Sequence, residues 1–240
     1  ALKKHPRGGT MKILILVLTI FVGLNGYASQ PDLVNIMPTD VFTPNGFDNN
    51  DNAQIVLEGY YPNTCYKTGL SAYQVDEVNK VIVVDDQTYH YPYEMCLMMI
   101  VPYTKVIELG VLQAGKYDVK FLKDGKFSPS KAKLDIFEAP HNIQDDFLYL
   151  PVDKSNFLSK GPHGKPAVVL EGIYKNSCFS FDRAEVKRKA GAKSIEILPI
   201  AKMEGQNCRA EDKPFKVTVD VDHNGAGHVL LHIRSLNGQA

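Results

Sequence analysis

Apolar residues in this chain come in short runs, many alternating with polar ones, and no stretch holds a 3.6-residue period long enough for an amphipathic helix. Runs rich in β-branched and aromatic residues predict strands at 55–61, 71–78, 81–84, 106–109 and 117–122, with turn signals at intervals of roughly 8–12 residues. Asp124-Gly125 signals a hairpin whose returning strand is 133–137. Tyr89, Tyr91 and Tyr93 alternate with His90 and Pro92, which suits an edge strand or an extended loop. The run 96–101, Cys-Leu-Met-Met-Ile-Val, is apolar without alternation. Such a run is either buried on both faces or exposed to a partner.

The pattern is written twice. Leu57-Glu58-Gly59-Tyr60-Tyr61-Pro62-Asn63-Thr64-Cys65-Tyr66 returns 113 residues later as Leu170-Glu171-Gly172-Ile173-Tyr174-Lys175-Asn176-Ser177-Cys178-Phe179. Pro38 and Asp40 recur as Pro151 and Asp153 at the same offset, while Cys96 and Gly115 recur as Cys208 and Gly227 at 112. A repeat this long is a domain, not a solenoid unit. The second copy predicts strands at 147–150, 167–174, 215–221 and 229–233, with a further pair hinged at 190–192. It carries the charged Arg209-Ala210-Glu211-Asp212-Lys213 where the first has its apolar run. It also lacks the returning strand after Asn237-Gly238, which leaves a sheet edge open to a strand from elsewhere.

The expectation is an all-β protein of two tandem immunoglobulin-like β-sandwich domains, each of about 90–100 residues. The first spans 29–138, a linker 139–143, and the second 144–240. The chain has no Trp, so the Cys…Trp…Cys core of antibody domains is absent. Residues 1–10 precede Met11 and read as extraneous. Residues 11–28 read as a signal peptide, with Lys12, an apolar stretch from Ile13 to Leu24, and small residues Gly26 and Ala28 before the cleavage point. That stretch is short of the ~20 residues needed to span a bilayer, so no stable membrane anchor is expected.

Export makes the four Cys readable as disulfides. Each copy holds two, 31 and 30 positions apart, so one bridge per domain is expected, Cys65–Cys96 and Cys178–Cys208. Each closes a loop worth roughly 3–4 kcal/mol in the chain-entropy model. Overall charge is zero. Residues 31–125 nevertheless carry 6 Lys/Arg against 13 Asp/Glu, and 144–240 carry 14 against 12. An acidic first domain beside a mildly basic second favours packing of one on the other. Neither has the clustered positive face that nucleic acid needs, and no cofactor motif occurs.

The blocks Gly46-Phe47-Asp48-Asn49-Asn50-Asp51, Gly59 to Tyr66, Cys96, Val101-Pro102-Tyr103 and Ala114-Gly115-Lys116-Tyr117-Asp118-Val119 resemble an Ig-like module of secreted bacterial proteins. The resemblance covers most of the first copy. The second copy keeps the Leu-Glu-Gly…Cys block, the second Cys and Ala-Gly. The family has no assigned activity, so the resemblance implies fold and compartment.

Five residues form the expected binding surface: Tyr89, Tyr91 and Tyr93 on one face, with Met98 and Met99 beside them. Tyr joins a broad apolar face to a polar tip at little entropic cost. The plainer alternative is that these side chains cover the domain's own edge or meet the second domain. Asp48, Asn50 and Asp51 offer oxygens at calcium-loop spacing, but Ala53 and Gly59 stand where that loop needs Gly and Glu. The stretch reads better as an Asx-rich turn, and no metal is expected. His228 and His232 share a strand face at about 13 Å, too far apart for one ion. Asp220, Asp222 and His223 lie near them, and all read as solvated or core-edge groups. Glu58 and Glu171 are expected to meet local cations or water. No nucleophile elbow or zinc-protease helix occurs.

The chain therefore reads as a periplasmic or secreted, non-catalytic binding or structural protein. Its partner would be a protein or a glycan, recognised through sandwich edges and loops. An inhibitor of secreted hydrolases, presenting loops 85–95 or 203–214, is the alternative. A secreted metal-assisted hydrolase is a further one.

Overall fold

Strands make up all the helical-or-strand structure among the described residues, which are 30–141, 147–221 and 228–236 of this computed structural model. The expected signal peptide, the linker beyond His141, Asp222, His223 and the end of the chain after Leu236 lie outside them. The described residues from Pro31 onward belong to one compact unit. Its first copy comprises β1 (Asp32–Asn35), β2 (Asp40–Phe42), β3 (Phe47–Asp48), β4 (Ala53–Tyr61), β5 (Tyr66–Asp76) and β6 (Val81–His90). It continues through β7 (Val101–Gly110), β8 (Gly115–Lys123), β9 (Lys126–Phe127) and β10 (Ala132–Phe137). The second copy comprises β11 (Val152–Leu158), β12 (Ala167–Asn176), β13 (Phe179–Lys187), β14 (Ser194–Met203), β15 (Ala210–Asp220) and β16 (Leu230–Ile233).

The repeat in the sequence is a repeat in space. Strands β2, β4, β5, β6, β7 and β8 reappear in order as β11 to β16, and β6 and β14 start 113 residues apart with equal length. In the first copy β2-β4-β7 form one sheet and β1-β6-β8-β10-β3 another, with β5 added on β6 and β9 on β8. The two sheets enclose a core of alternate residues: Ala53, Ile55 and Leu57 from β4, Ile82 and Val84 from β6, Tyr117, Val119 and Phe121 from β8. The second copy has sheets β11-β12-β15 and β13-β14-β16 around Val168, Leu170, Ile195, Ile197 and Val219. Two disulfides, Cys65–Cys96 and Cys178–Cys208, each lie within one copy.

The strand expected at 147–150 has a definite place, and one expected strand boundary moves. The segment at 147–150 pairs with β14, through Leu150 N–H to the Pro199 carbonyl at 2.8 Å and Ala201 N–H to the Leu148 carbonyl at 2.7 Å. It occupies the place that β1 takes beside β6, so it does not lie on the far edge of β16. Among the described residues β16 pairs with β14 alone, and no counterpart of β10 flanks it. The boundary that moves is that of β5, which begins at Tyr66 rather than Ser71 and ends before the turn at 77–80.

Strand β14 is buried on both faces over its first eight residues. Ile195 and Ile197 enter its own core, while Ser194 and Glu196, with His232 and Arg234, turn to the first copy. There Glu196 accepts the Asn45 backbone N–H at 2.9 Å, and the Gln54 amide meets His232 Nε2 at 2.7 Å. Arg234 pairs with Asp51 at 3.0 Å and donates to the Gly46 carbonyl. At the rim Lys193 meets Asp40, Lys189 meets Asp135 and His228 meets Glu58. The lysines and the arginine in this set belong to the second copy, and the carboxylates that they meet belong to the first.

Candidate functional site

Between β6 and β7 the chain makes a ten-residue loop, 91–100, whose base is fixed and whose side chains are not covered. Cys96 is bonded to Cys65, itself 1% exposed at the turn between β4 and β5. The Tyr91 N–H donates to the Cys65 carbonyl at 3.0 Å, and the Thr64 N–H to the Leu97 carbonyl at 3.2 Å. Thr64 Oγ1 accepts the Leu97 N–H at 2.9 Å, and Asn63 Oδ1 accepts the Cys65 N–H at 2.9 Å. Pro92 and Tyr93 sit in a turn closed by the Glu94 N–H on the Tyr91 carbonyl.

The outward side chains are Tyr93, Met95, Leu97, Met98, Met99 and Ile100, with Tyr93 at 82%, Met95 at 98% and Met98 at 83% exposed. The second copy does not lie over them, contrary to the plainer expectation of a covered run. The three tyrosines differ in exposure. Tyr89, next to last in β6, is half-buried opposite Leu33 on one side and Lys67 on the other, Tyr91 is half-buried, and Tyr93 stands clear. Beneath the loop runs a ladder of rings from Tyr103 to Tyr61 (4.4 Å), Tyr66 (6.2 Å) and His90 (4.5 Å from Tyr66).

The second copy builds the same frame with different contents. Asn176 Oδ1 accepts the Cys178 N–H, Ser177 Oγ accepts the Arg209 N–H, and the Ser177 N–H donates to the Arg209 carbonyl. The repeated Asn-Thr/Ser-Cys is therefore a device for seating a cystine and the residue after its second half. Leu97 is replaced there by Arg209, and the loop is shorter and polar. Sequence comparison of the copies showed the contrast in content. It missed Asn63 and Thr64 as the seat, although their recurrence was the available signal.

The remaining candidates are held by structural partners. Asp51 Oδ2 accepts the Asp48 N–H at 2.9 Å and pairs with Arg234, an Asx-type turn rather than a ring of open ligands. Asn50 Nδ2 donates to the His141 carbonyl. Among the described residues no three His, Cys, Asp or Glu side chains converge as a metal site. Glu171 meets Lys216 at 2.7 Å and Glu58 meets His228 at 3.1 Å, so the two glutamates serve separate contacts. Asp220 pairs with His163. His232 is 3% exposed, its Nδ1 has no hydrogen-bond partner among the described residues, and burial, with Arg234 beside it, pulls its pKa down to about 3. Burial raises the Tyr103 phenol, and its Oη likewise has no partner among the described residues.

No helix among the described residues is long and apolar enough to cross a membrane. No curated protein and no solved structure matches this chain. Residues 55–130, about a third of the sequence, match the family model of the ORF11 beta-sandwich domain, which makes the first copy similar to a β-sandwich domain by sequence as well as by its paired sheets.

Proposed function

We propose that this is a periplasmic or secreted, non-catalytic binding protein of two Ig-like sandwiches, and that it docks a protein partner through the apolar loop 91–100. The observation that carries the reading is the exposure of six large apolar side chains on a loop fixed at its base by a cystine and backbone hydrogen bonds. Contiguous apolar surface of this kind marks interaction sites on proteins that are otherwise polar outside. A fixed base lowers the ordering cost of binding, and the three methionines let the loop adapt to its partner's surface. The aliphatic contents favour a protein over a glycan, because the outward side chains offer a sugar few hydrogen-bonding groups. Four cysteines, all in disulfides, suit an oxidising compartment.

A photo-crosslinker placed at Met98 tests this against one at Val78, which is 90% exposed on the β5–β6 turn at the far end of β6. The expected result is a discrete product from the extracytoplasmic fraction at position 98 only. That product should disappear when Met95 and Met99 are both changed to Asp. Equal capture at the two positions, or capture indifferent to the added charges, would overturn the reading. The same loop also suits an inhibitor, being tethered and protruding. Nanomolar inhibition of an extracellular hydrolase, lost in the same Asp variant, would identify the partner as an enzyme.

A further inference from the structure

A second surface feature, independent of the apolar loop, lies where the two copies meet. A cleft of about 410 Å³ opens between the β10 side of the first copy and the β13–β14 turn of the second. Lys116 and Lys133 line one wall, Lys189 and Lys193 the other, and Asp135 is the one carboxylate among the lining residues. The turn itself reads Lys187-Arg188-Lys189-Ala190-Gly191-Ala192-Lys193, so further positive charge stands behind it. Lys189 and Lys193 already hold Asp135 and Asp40, and Lys133 holds Asp118 at the surface. Lys116 makes no ion pair among the described residues. The first copy is acidic as a whole, which makes this basic end a local feature with its own field.

The same wall has an open backbone edge. Strand β10 pairs with β8 along one side, but on the other β3 reaches only Ile136 and Phe137. Over 132–135 the outer edge of β10 has no strand among the described residues, and Ala132, Lys133 and Asp135 line the cleft there. An unpaired edge accepts an extended peptide by main-chain hydrogen bonds, with side-chain contacts setting the choice of sequence. Lysines on an edge also guard against wrong pairing, because they repel a like strand. A partner whose own charges are negative would turn that guard into an attraction.

We propose that this cleft binds an extended acidic peptide segment, its backbone along the open edge of β10 and its carboxylates toward Lys116, Lys133 and the 189–193 turn. A peptide is favoured over an anionic glycan because the site offers an unpaired strand edge and shows no exposed aromatic platform among its lining residues. Fluorescence polarisation of the full-length protein with a labelled hexaglutamate tests it. Binding is expected, and the double variant Lys116→Glu, Lys133→Glu should weaken it about tenfold or more. Lys126→Glu, at the opposite end of β8, should leave it unchanged. Hexaglutamate methylated on every backbone nitrogen should bind about tenfold more weakly, since it keeps the charge and has no ladder donors. Lys116→Glu alone breaks no ion pair, so its weaker binding separates the effect from any loss of folding. Three results overturn the proposal: no binding of hexaglutamate, equal binding of the N-methylated peptide, or preference for a sulfated disaccharide.

Discussion

Gly59 stands opposite Tyr103 across the β4–β7 ladder, and the phenol end of the tyrosine fills the space in which any side chain at 59 would begin. A Cβ there would fall 2.6 Å from the tyrosine Oη and 2.7 Å from its ring. Two residues along, Tyr61 stacks on the same ring. The second copy repeats the arrangement with Gly172 opposite Phe215 and Tyr174 against that ring at 4.6 Å. The invariant Leu-Glu-Gly of the two copies is thus explained by packing. Its glycine admits an aromatic ring from the next strand, which is why no functional role need be sought for it.

The two glycines are predicted to respond differently to the same substitution. Gly59→Ala should destabilise by about 1–3 kcal/mol, the usual range for overpacking. At 59 the obstacle is a side chain, so Tyr103→Ala in the same molecule should relieve part of the loss. At 172 a Cβ would also meet the Pro151 carbonyl oxygen at 2.0 Å, which is backbone and cannot be trimmed away. Phe215→Ala should therefore not rescue Gly172→Ala. Double-mutant cycles by urea denaturation read both couplings, and equal couplings would contradict the account.

The junction between the copies should weaken on acidification. His232 is buried and neutral, and its pKa in the folded protein, about 3, lies below the 6.5 of the free side chain. Between those values the unfolded chain binds a proton that the folded chain does not. Stability is therefore complete above 6.5 and declines as the pH falls toward 3, by up to about 1.4 kcal/mol per unit. His232→Gln keeps an amide for Gln54 and removes the titration. The difference in unfolding free energy between wild type and variant should shrink or reverse from pH 7.5 to pH 5. A constant difference would mean that His232 takes up its proton in place.

The sequence made the strands and the cystines legible because each depends on local pattern or on the repeat. The β-branched and aromatic runs at 55–61 and 81–84 lie in β4 and β6, with Ile55, Leu57, Ile82 and Val84 buried. Nearly equal spacing in the two copies selected Cys65–Cys96 and Cys178–Cys208. The junction was not legible in this way. His232 reads as a solvated or core-edge group from sequence, yet it is buried, together with Gln54, Ser194 and Glu196. Periodicity reports which face a residue is on and carries no information about what lies beyond it. The apolar run after Cys96 failed in the opposite direction, since a run without alternation fits burial and exposure equally.

Arg234 should be the most sensitive position at the junction. Its guanidinium pairs with Asp51, both side chains being about one-tenth exposed or less, and it lies over the Phe47 ring at 4.7 Å. Arg234→Met leaves the Asp51 carboxylate buried with the Asp48 N–H as its main remaining support. Removing one partner of a buried pair costs about 3–5 kcal/mol, chiefly through the charge left behind. Adding Asp51→Asn should recover a large part of that loss. Urea denaturation of the two variants checks it. A double variant no more stable than the single one would show that the pair is not the source of the effect.

The two cystines should separate stability from presentation. Each closes a loop of about 30 residues, so replacing either pair with Ser should lower stability by roughly 3 kcal/mol. Only Cys65–Cys96, however, fixes a loop of large exposed apolar residues. With that bridge removed, the middle of the loop is tied to the β4–β5 turn by the exposed hydrogen bonds between Thr64 and Leu97, with the Tyr91 N–H on the residue-65 carbonyl holding its start. Chymotrypsin should then cut at Tyr93 and Leu97 well below the denaturation midpoint, through local opening rather than global unfolding. The Cys178→Ser, Cys208→Ser protein should be as unstable and yet resist cleavage at those sites under the same conditions. If both variants were cut there at equal rates, cleavage would be tracking overall stability, and the Cys65–Cys96 bridge would have no particular part in holding the loop out for a partner.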